Sequence, residues 1–148
     1  HGKTTHTTLK HIKNTPKHTE IALKIREGSH SLDASYSLIG SNEGGRREIR
    51  RPRSIGQIFY AFEVNNRWGL VTGFTHTGSQ IDTDFSTYPG TRRRLDSYRL
   101  INVGATFQAN ASFRLQLFVE NVFNTKSQDV FGYRNPGRSI RGAIRATL

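Results

Sequence analysis

The chain has 148 residues, enough for one ordinary domain and too few for a two-domain enzyme. It contains no Cys, which excludes disulfides, thiolate zinc sites and cysteine nucleophiles, and no Met, so His1 reads as an internal or processed residue of something longer. The 22 Lys and Arg against 11 Asp and Glu give a net charge of +11, which points to an anionic partner such as nucleic acid, anionic lipid or an acidic ligand.

Residues 1–16 are rich in His, Thr and Lys, with only Leu9 and Ile12 apolar, and any eighth strand there rests on those two. From residue 20 the dominant period is two. Ile21, Leu23 and Ile25 oppose Glu20, Ala22, Lys24 and Arg26, and Leu32, Ala34, Tyr36 and Leu38 oppose Ser31, Asp33, Ser35 and Ser37. Ile58, Tyr60, Phe62 and Val64 face away from Gln57, Phe59, Ala61 and Glu63, and Trp68, Leu70, Thr72 and Phe74 alternate with Gly69, Val71, Gly73 and Thr75. Ile101, Val103, Ala105 and Phe107 form the next apolar set, then Phe113, Leu115, Leu117 and Val119, then Ile140, Ile144, Ala146 and Leu148. The last strand carries Arg141 and Arg145 on its other face.

The connections sort by length. Residues 28–29, 65–66 and 108–111 are tight, whereas 40–53, 79–97 and 124–137 are long. Strict alternation of short and long places all tight turns at one end of an antiparallel meander and all long loops at the other. That is the asymmetry of an all-β, up-and-down transmembrane β-barrel. The mean hydropathy of −0.60 does not oppose it, because lipid-facing and lumen-facing residues alternate and average out. No apolar run is long enough for a helical span or a signal-peptide core. The alternation itself also suits a soluble sheet with its apolar face on a core.

Near the C-terminus the residues become specific: Glu120-Asn-Val-Phe-Asn124, Val130-Phe-Gly-Tyr133 and Asn135-Pro-Gly-Arg-Ser139, followed by a final alternating strand. Together with Asp82-Thr-Asp-Phe-Ser-Thr-Tyr-Pro89 and Arg50-Arg-Pro-Arg53, they resemble the C-terminal part of TonB-dependent outer-membrane transporters, most closely the cobalamin-transporting members. The resemblance runs from about His18 to the end, with Leu148 where family members carry an aromatic residue. It implies that residues 1–148 are the last seven or eight strands of a 22-stranded barrel in the outer membrane of a Gram-negative bacterium. The plug domain that grips TonB lies outside them.

The activity so implied is energy-coupled import of a corrinoid or siderophore, with no enzymatic step, no cofactor and no metal. Lipopolysaccharide, outer-membrane lipid and the barrel-assembly machinery are the further partners implied. By resemblance the ligand contacts are Arg50, at a loop-to-strand junction, and Phe85, with Arg51 as a secondary contact. An arginine offers a fork of donors and an aromatic face covers a flat macrocycle.

Other chemistry finds less support in the residues. Arg46, Arg47, Arg50, Arg51 and Arg53, with Arg92 to Arg94, suit solvated loop charge meeting lipopolysaccharide, or ligand contact. They lack the interleaved aromatics of a single-strand nucleic-acid binder, although a soluble basic β-domain binding a polyanion is the alternative class. Asp82, Asp84 and Asp96 lack the glycine and glutamate of a calcium loop and are expected to pair with nearby arginines. His6, His11, His18 and His30 have no metal-site spacing. Trp68, Tyr60 and Tyr98 suit a membrane interface or ordinary packing. Seven or eight strands of a larger wall leave two open edges, so the chain alone is expected to aggregate, to pair with the missing strands, or to close as a small eight-stranded barrel, and in no case to transport by itself.

Overall fold

The computed structural model describes residues 6–9, 13–15 and 18–147. It is all-β and antiparallel. The strands are β1 (His6–Leu9), β2 (Lys13–Thr15), β3 (His18–Glu27), β4 (His30–Ile39), β5 (Asn42–Glu43), β6 (Arg46–Arg47), β7 (Ser54–Glu63), β8 (Trp68–Thr77), β9 (Gln80–Asp84), β10 (Thr91–Leu95), β11 (Tyr98–Gln108), β12 (Phe113–Glu120) and β13 (Ser139–Ala146). One nine-stranded sheet has the order β1-β3-β4-β7-β8-β11-β12-β13, with β2 also on β3, and the pairs β5–β6 and β9–β10 stand apart as hairpins. All seven strands expected from residue 20 onward are present. The possible eighth is represented by β1 and β2, both paired with β3, while the rest of residues 1–16 lies outside the described residues.

The tight turns have local causes. Gly28 has φ 53°, a conformation that costs glycine nothing. Asn65 Oδ1 accepts from the amides of Arg67 and Trp68, both at 2.9 Å, and Asn110 Oδ1 accepts from Ser112 and Phe113, both at 3.0 Å. These self-bonded asparagines close the β7–β8 and β11–β12 hairpins. Between consecutive strands of the large sheet from β3 onward, every short turn falls at one end.

The register aligns the apolar positions in rows across the strands. One row runs Ile25, Leu32, Tyr60, Thr72, Val103, Val119 and Ile140, and the next toward the turn end includes Phe62, Leu70, Ala105 and Leu117. Along β8 this face spans Trp68 to His76, roughly 26 Å at about 3.3 Å per residue, comparable to the apolar band of an outer-membrane wall. Trp68 leans on Phe107 with ring centroids 4.5 Å apart at its turn-end border, and Tyr60 shares a 2.7 Å hydrogen bond with His30 Nδ1. Trp68 suits a membrane interface, whereas Tyr60 lies in the row of Leu32, Thr72 and Val103, and the Tyr98 hydroxyl donates to Asp129 in the loops at 2.8 Å.

This apolar face has no cover. Leu117 is 51% exposed and Ile144 74%, and Leu95 is the one buried hydrophobic residue among those described. A soluble sandwich would bury that face, so the soluble β-domain alternative is corrected here. The opposite face is polar and internally paired: Asp33 accepts from Arg26 at 2.7 Å and lies 3.5 Å from Lys24, while Glu120 pairs with Arg141 and accepts from Ser139 at 2.9 Å. Among the described residues no pair joins β13 to β1 or β2. The small closed eight-stranded barrel is therefore also corrected: the sheet is open.

Candidate functional site

The three long connections meet above the sheet. The first, between β4 and β7, returns along β9: the amide of Arg50 donates to Ile81 O at 2.7 Å and that of Arg53 to Ser79 O at 3.1 Å. The third, between β12 and β13, reaches the same strand, with Gln80 Nε2 donating to Asp129 O at 3.0 Å. At the centre is Asp82, 0% exposed. Its Oδ1 accepts from Arg50 Nε at 3.0 Å and its Oδ2 from the Phe131 amide at 2.7 Å, so one carboxylate ties three loops together. Burial opposes its ionisation, but hydrogen bonds from the amides of Phe131 and Thr83 and from Arg50, with the charge of Arg50, hold the carboxyl below its ordinary value.

The third loop is shaped by asparagines. Asn121 and Asn124 sit at φ 49° and 53°, a region that asparagine tolerates better than most residues. Asn121 accepts from the Thr125 amide at 2.8 Å, and Asn124 accepts from the Arg138 amide at 3.0 Å. The specificity of the Glu120–Asn124 segment thus reflects a tight loop exit. Asp129 accepts from Tyr98 at 2.8 Å and from Asn135 at 3.0 Å, which fixes the far side of that loop.

Of the residues singled out from sequence, Arg50 lies at the clamp with φ 56°. That conformation is strained for a residue with a side chain and is held here by its amide and Nε bonds. The Arg50 side chain is still 51% exposed. Phe85 stands about three residues, or ~10 Å, further along β9. It is 73% exposed at the hairpin tip, beside the fully exposed Tyr88. Asp84 accepts from the Ser86 amide and hydroxyl at 2.9 and 2.6 Å, and this turn presents Phe85 outward. Arg51 lies 3.2 Å from Glu48. Asp84 lies 3.7 Å from Arg93, so Asp82 and Asp84 both face arginines, as expected.

The sequence did not single out Arg47 from its neighbours. Burial, then the charges of Arg53 and Arg94, push its guanidinium below the ordinary value, and its Nε is buried without a partner among the described residues. A cavity of about 340 Å³ among the loops is lined by Arg94, Tyr98, Lys126, Phe131 and Arg134, with Asp96 also on its wall. Arg93 stacks over Phe131 at 6.0 Å. Crowded cations with aromatic walls can hold an anion with a flat or aromatic body.

An open antiparallel sheet with one apolar face, one polar face and length-sorted loops has the architecture of a stretch of β-barrel wall. No family model matches the sequence. Among solved structures, the chain is similar to the siderophore receptor PirA from Acinetobacter baumannii, with 14% identity, TM-score 0.77, and 88% of this chain and 22% of that one covered. It is similar to the ferric-catecholate import receptor Fiu from E. coli K12, with 14% identity, TM-score 0.70 and coverage of 87% and 20%. It is also similar to the ferripyoverdine receptor of the outer membrane of Pseudomonas aeruginosa, with 12% identity, TM-score 0.73 and coverage of 87% and 19%. The chain spans about a fifth of the length of these receptors. The likeness shows the fold, that of the barrel of TonB-dependent receptors.

Proposed function

We propose that this chain is the C-terminal barrel segment of a TonB-dependent transport receptor in the outer membrane of a Gram-negative bacterium, and that the receptor imports a ferric siderophore. The observation that carries the ligand class is the cavity of about 340 Å³ whose walls combine the cations Arg94, Lys126 and Arg134 with the aromatic rings of Tyr98 and Phe131. Ferric complexes of catecholate type are anionic and aromatic, and match both features. The names of the similar receptors support the same class. In this reading the long loops face outward toward lipopolysaccharide, the barrel-assembly machinery inserts the wall, and TonB engages a plug domain encoded elsewhere in the protein.

A corrinoid is the second reading, favoured by the sequence of residues 82–89 and by the exposed Phe85 and Tyr88, which offer apolar contact to a macrocycle. Deleting the encoding gene and measuring uptake separates the two. Loss of ⁵⁵Fe-siderophore uptake with corrinoid uptake intact supports the first. The reverse assigns a corrinoid, and no change in either rejects import of both.

A further inference from the structure

On the outward face, just below the long loops, one row runs Ile21, Tyr36, Gly56, His76 and Arg99. The Tyr36 ring packs over Gly56, where a Cβ would lie 3.0 Å from the ring and 3.6 Å from His76 Cβ. One row lower, the small Ala34 leaves a gap between Leu23 and Ile58. The result is an open groove of about 490 Å³ with apolar walls, closed at its loop end by His76 and Arg99. Ser54 Oγ lies 3.2 Å from His76 Nε2 and steadies that ring.

Arg99 is the anomaly. It is the one arginine on the outward face of the described strands of the large sheet from β3 onward, and among the described residues it has no acidic partner. A guanidinium at the border of the apolar band is cheap only if an anion meets it, and a phosphate fits its fork. An apolar groove ending at such a cation matches a lipid with an acyl chain and a phosphate. The row lies at the long-loop end, the side that faces the outer leaflet if the chain is an outer-membrane wall.

We propose that this groove binds the phosphorylated glycolipid of the outer leaflet, with one acyl chain over Ala34 and a phosphate on Arg99. The proposal rests on the outer-membrane reading above. It is distinct from ligand import, because the groove is on the outside of the wall and the arginine cluster lies in the loops.

The test uses the whole receptor carrying this segment, purified from outer membranes in neutral detergent, stripped of lipid and examined by native mass spectrometry. The probes are the bis-phosphorylated lipid A disaccharide, its dephosphorylated form and phosphatidylglycerol. The expected result is one saturable lipid A adduct, weakened about tenfold by dephosphorylation and by Arg99→Gln, a loss of one charged contact. Ala34→Leu, which fills the groove, should weaken it similarly, while Arg145→Gln on the polar inner face leaves it unchanged. Equal binding of the dephosphorylated form, no effect of Arg99→Gln, or an equal effect of Arg145→Gln would overturn the proposal, and stronger binding of phosphatidylglycerol would overturn the glycolipid assignment. Heat-modifiable migration in gels reports barrel insertion independently: an inserted receptor without the adduct sinks this site alone, and failure to insert sinks both readings.

Discussion

Arg50 Nε and Asp82 Oδ1 meet at 3.0 Å across 32 residues of sequence, and the other oxygen of Asp82 binds an amide 49 residues further on. The clamp makes three loops one mechanical piece. Asp82→Asn keeps the shape but loses the charge, and Asp82→Ala also leaves the Phe131 amide without its acceptor. We expect Asp82→Ala to loosen the loops by about 1–3 kcal/mol, the cost of an unsatisfied buried group, with Asp82→Asn milder. Limited proteolysis within residues 40–53 and 124–137 should quicken, while the heat resistance of the wall stays within a few degrees of wild type.

The clamp also has a pH signature. Asp82 and Asp84 both titrate below their ordinary value, Asp84 through the hydroxyl and amide of Ser86 more than through Arg93. A lowered carboxyl stabilises the folded loops fully above its unfolded value, about 3.9, and the contribution fades as pH falls through the lowered value. Amide protection at Phe131 and Ser86, corrected for intrinsic exchange, should therefore be flat from neutral pH to about pH 5 and fall only below about 4. A decline already complete at pH 5.5 would contradict this.

Much of this architecture was legible in the residues. The rows of the sheet follow from period-two alternation, because a one-residue slip would turn every apolar side chain to the wrong face. The hairpins β5–β6 and β9–β10 were hidden, since Arg92 to Arg94 and the charged 40–53 segment carry no apolar alternation. The site was less legible for a related reason. Gln80, Asp129 and Asn135 act through contacts spanning 6 to 49 residues, and nothing in their local sequence marks them. Arg50 and Phe85 came from a resemblance, and Arg47 was one arginine among eight until burial separated it.

Sidedness of the wall predicts asymmetric tolerance. Val103, in the middle outward row, is 40% exposed, and Val103→Arg should cost about 2–4 kcal/mol in a bilayer. Gln57→Arg, on the polar face, should cost less than about 1 kcal/mol. Guanidinium unfolding of the receptor in lipid vesicles measures both, and equal costs would mean the faces are assigned the wrong way.

Inside the wall, Phe118 lies across Gly104. A Cβ at Gly104 would stand 2.5 Å from the Phe118 ring and 2.8 Å from Val71 Cγ2. Gly104→Ala should destabilise by about 1–3 kcal/mol through overpacking. Phe118→Leu in the same chain should recover most of that loss, which a double-mutant cycle would register as coupling.

At the hairpin tip, Phe85→Ala removes an aromatic contact worth about 0.5–1.5 kcal/mol. Ligand affinity should fall roughly two- to tenfold with loop proteolysis unchanged. Unchanged affinity would remove Phe85 from the ligand surface.

The way Asp82 and Gln80 hold their neighbours has a consequence for how such a receptor diversifies. Across the loops they grip the Phe131 amide and the Asp129 carbonyl, main-chain groups that nearly any residue supplies. Side chains at the tips, Phe85 and Tyr88 among them, are then free to change while the grip persists. Under the transport function proposed above, cargo preference can drift from lineage to lineage by single substitutions, and neither the anchoring carboxylate nor the wall beneath it has to be reinvented.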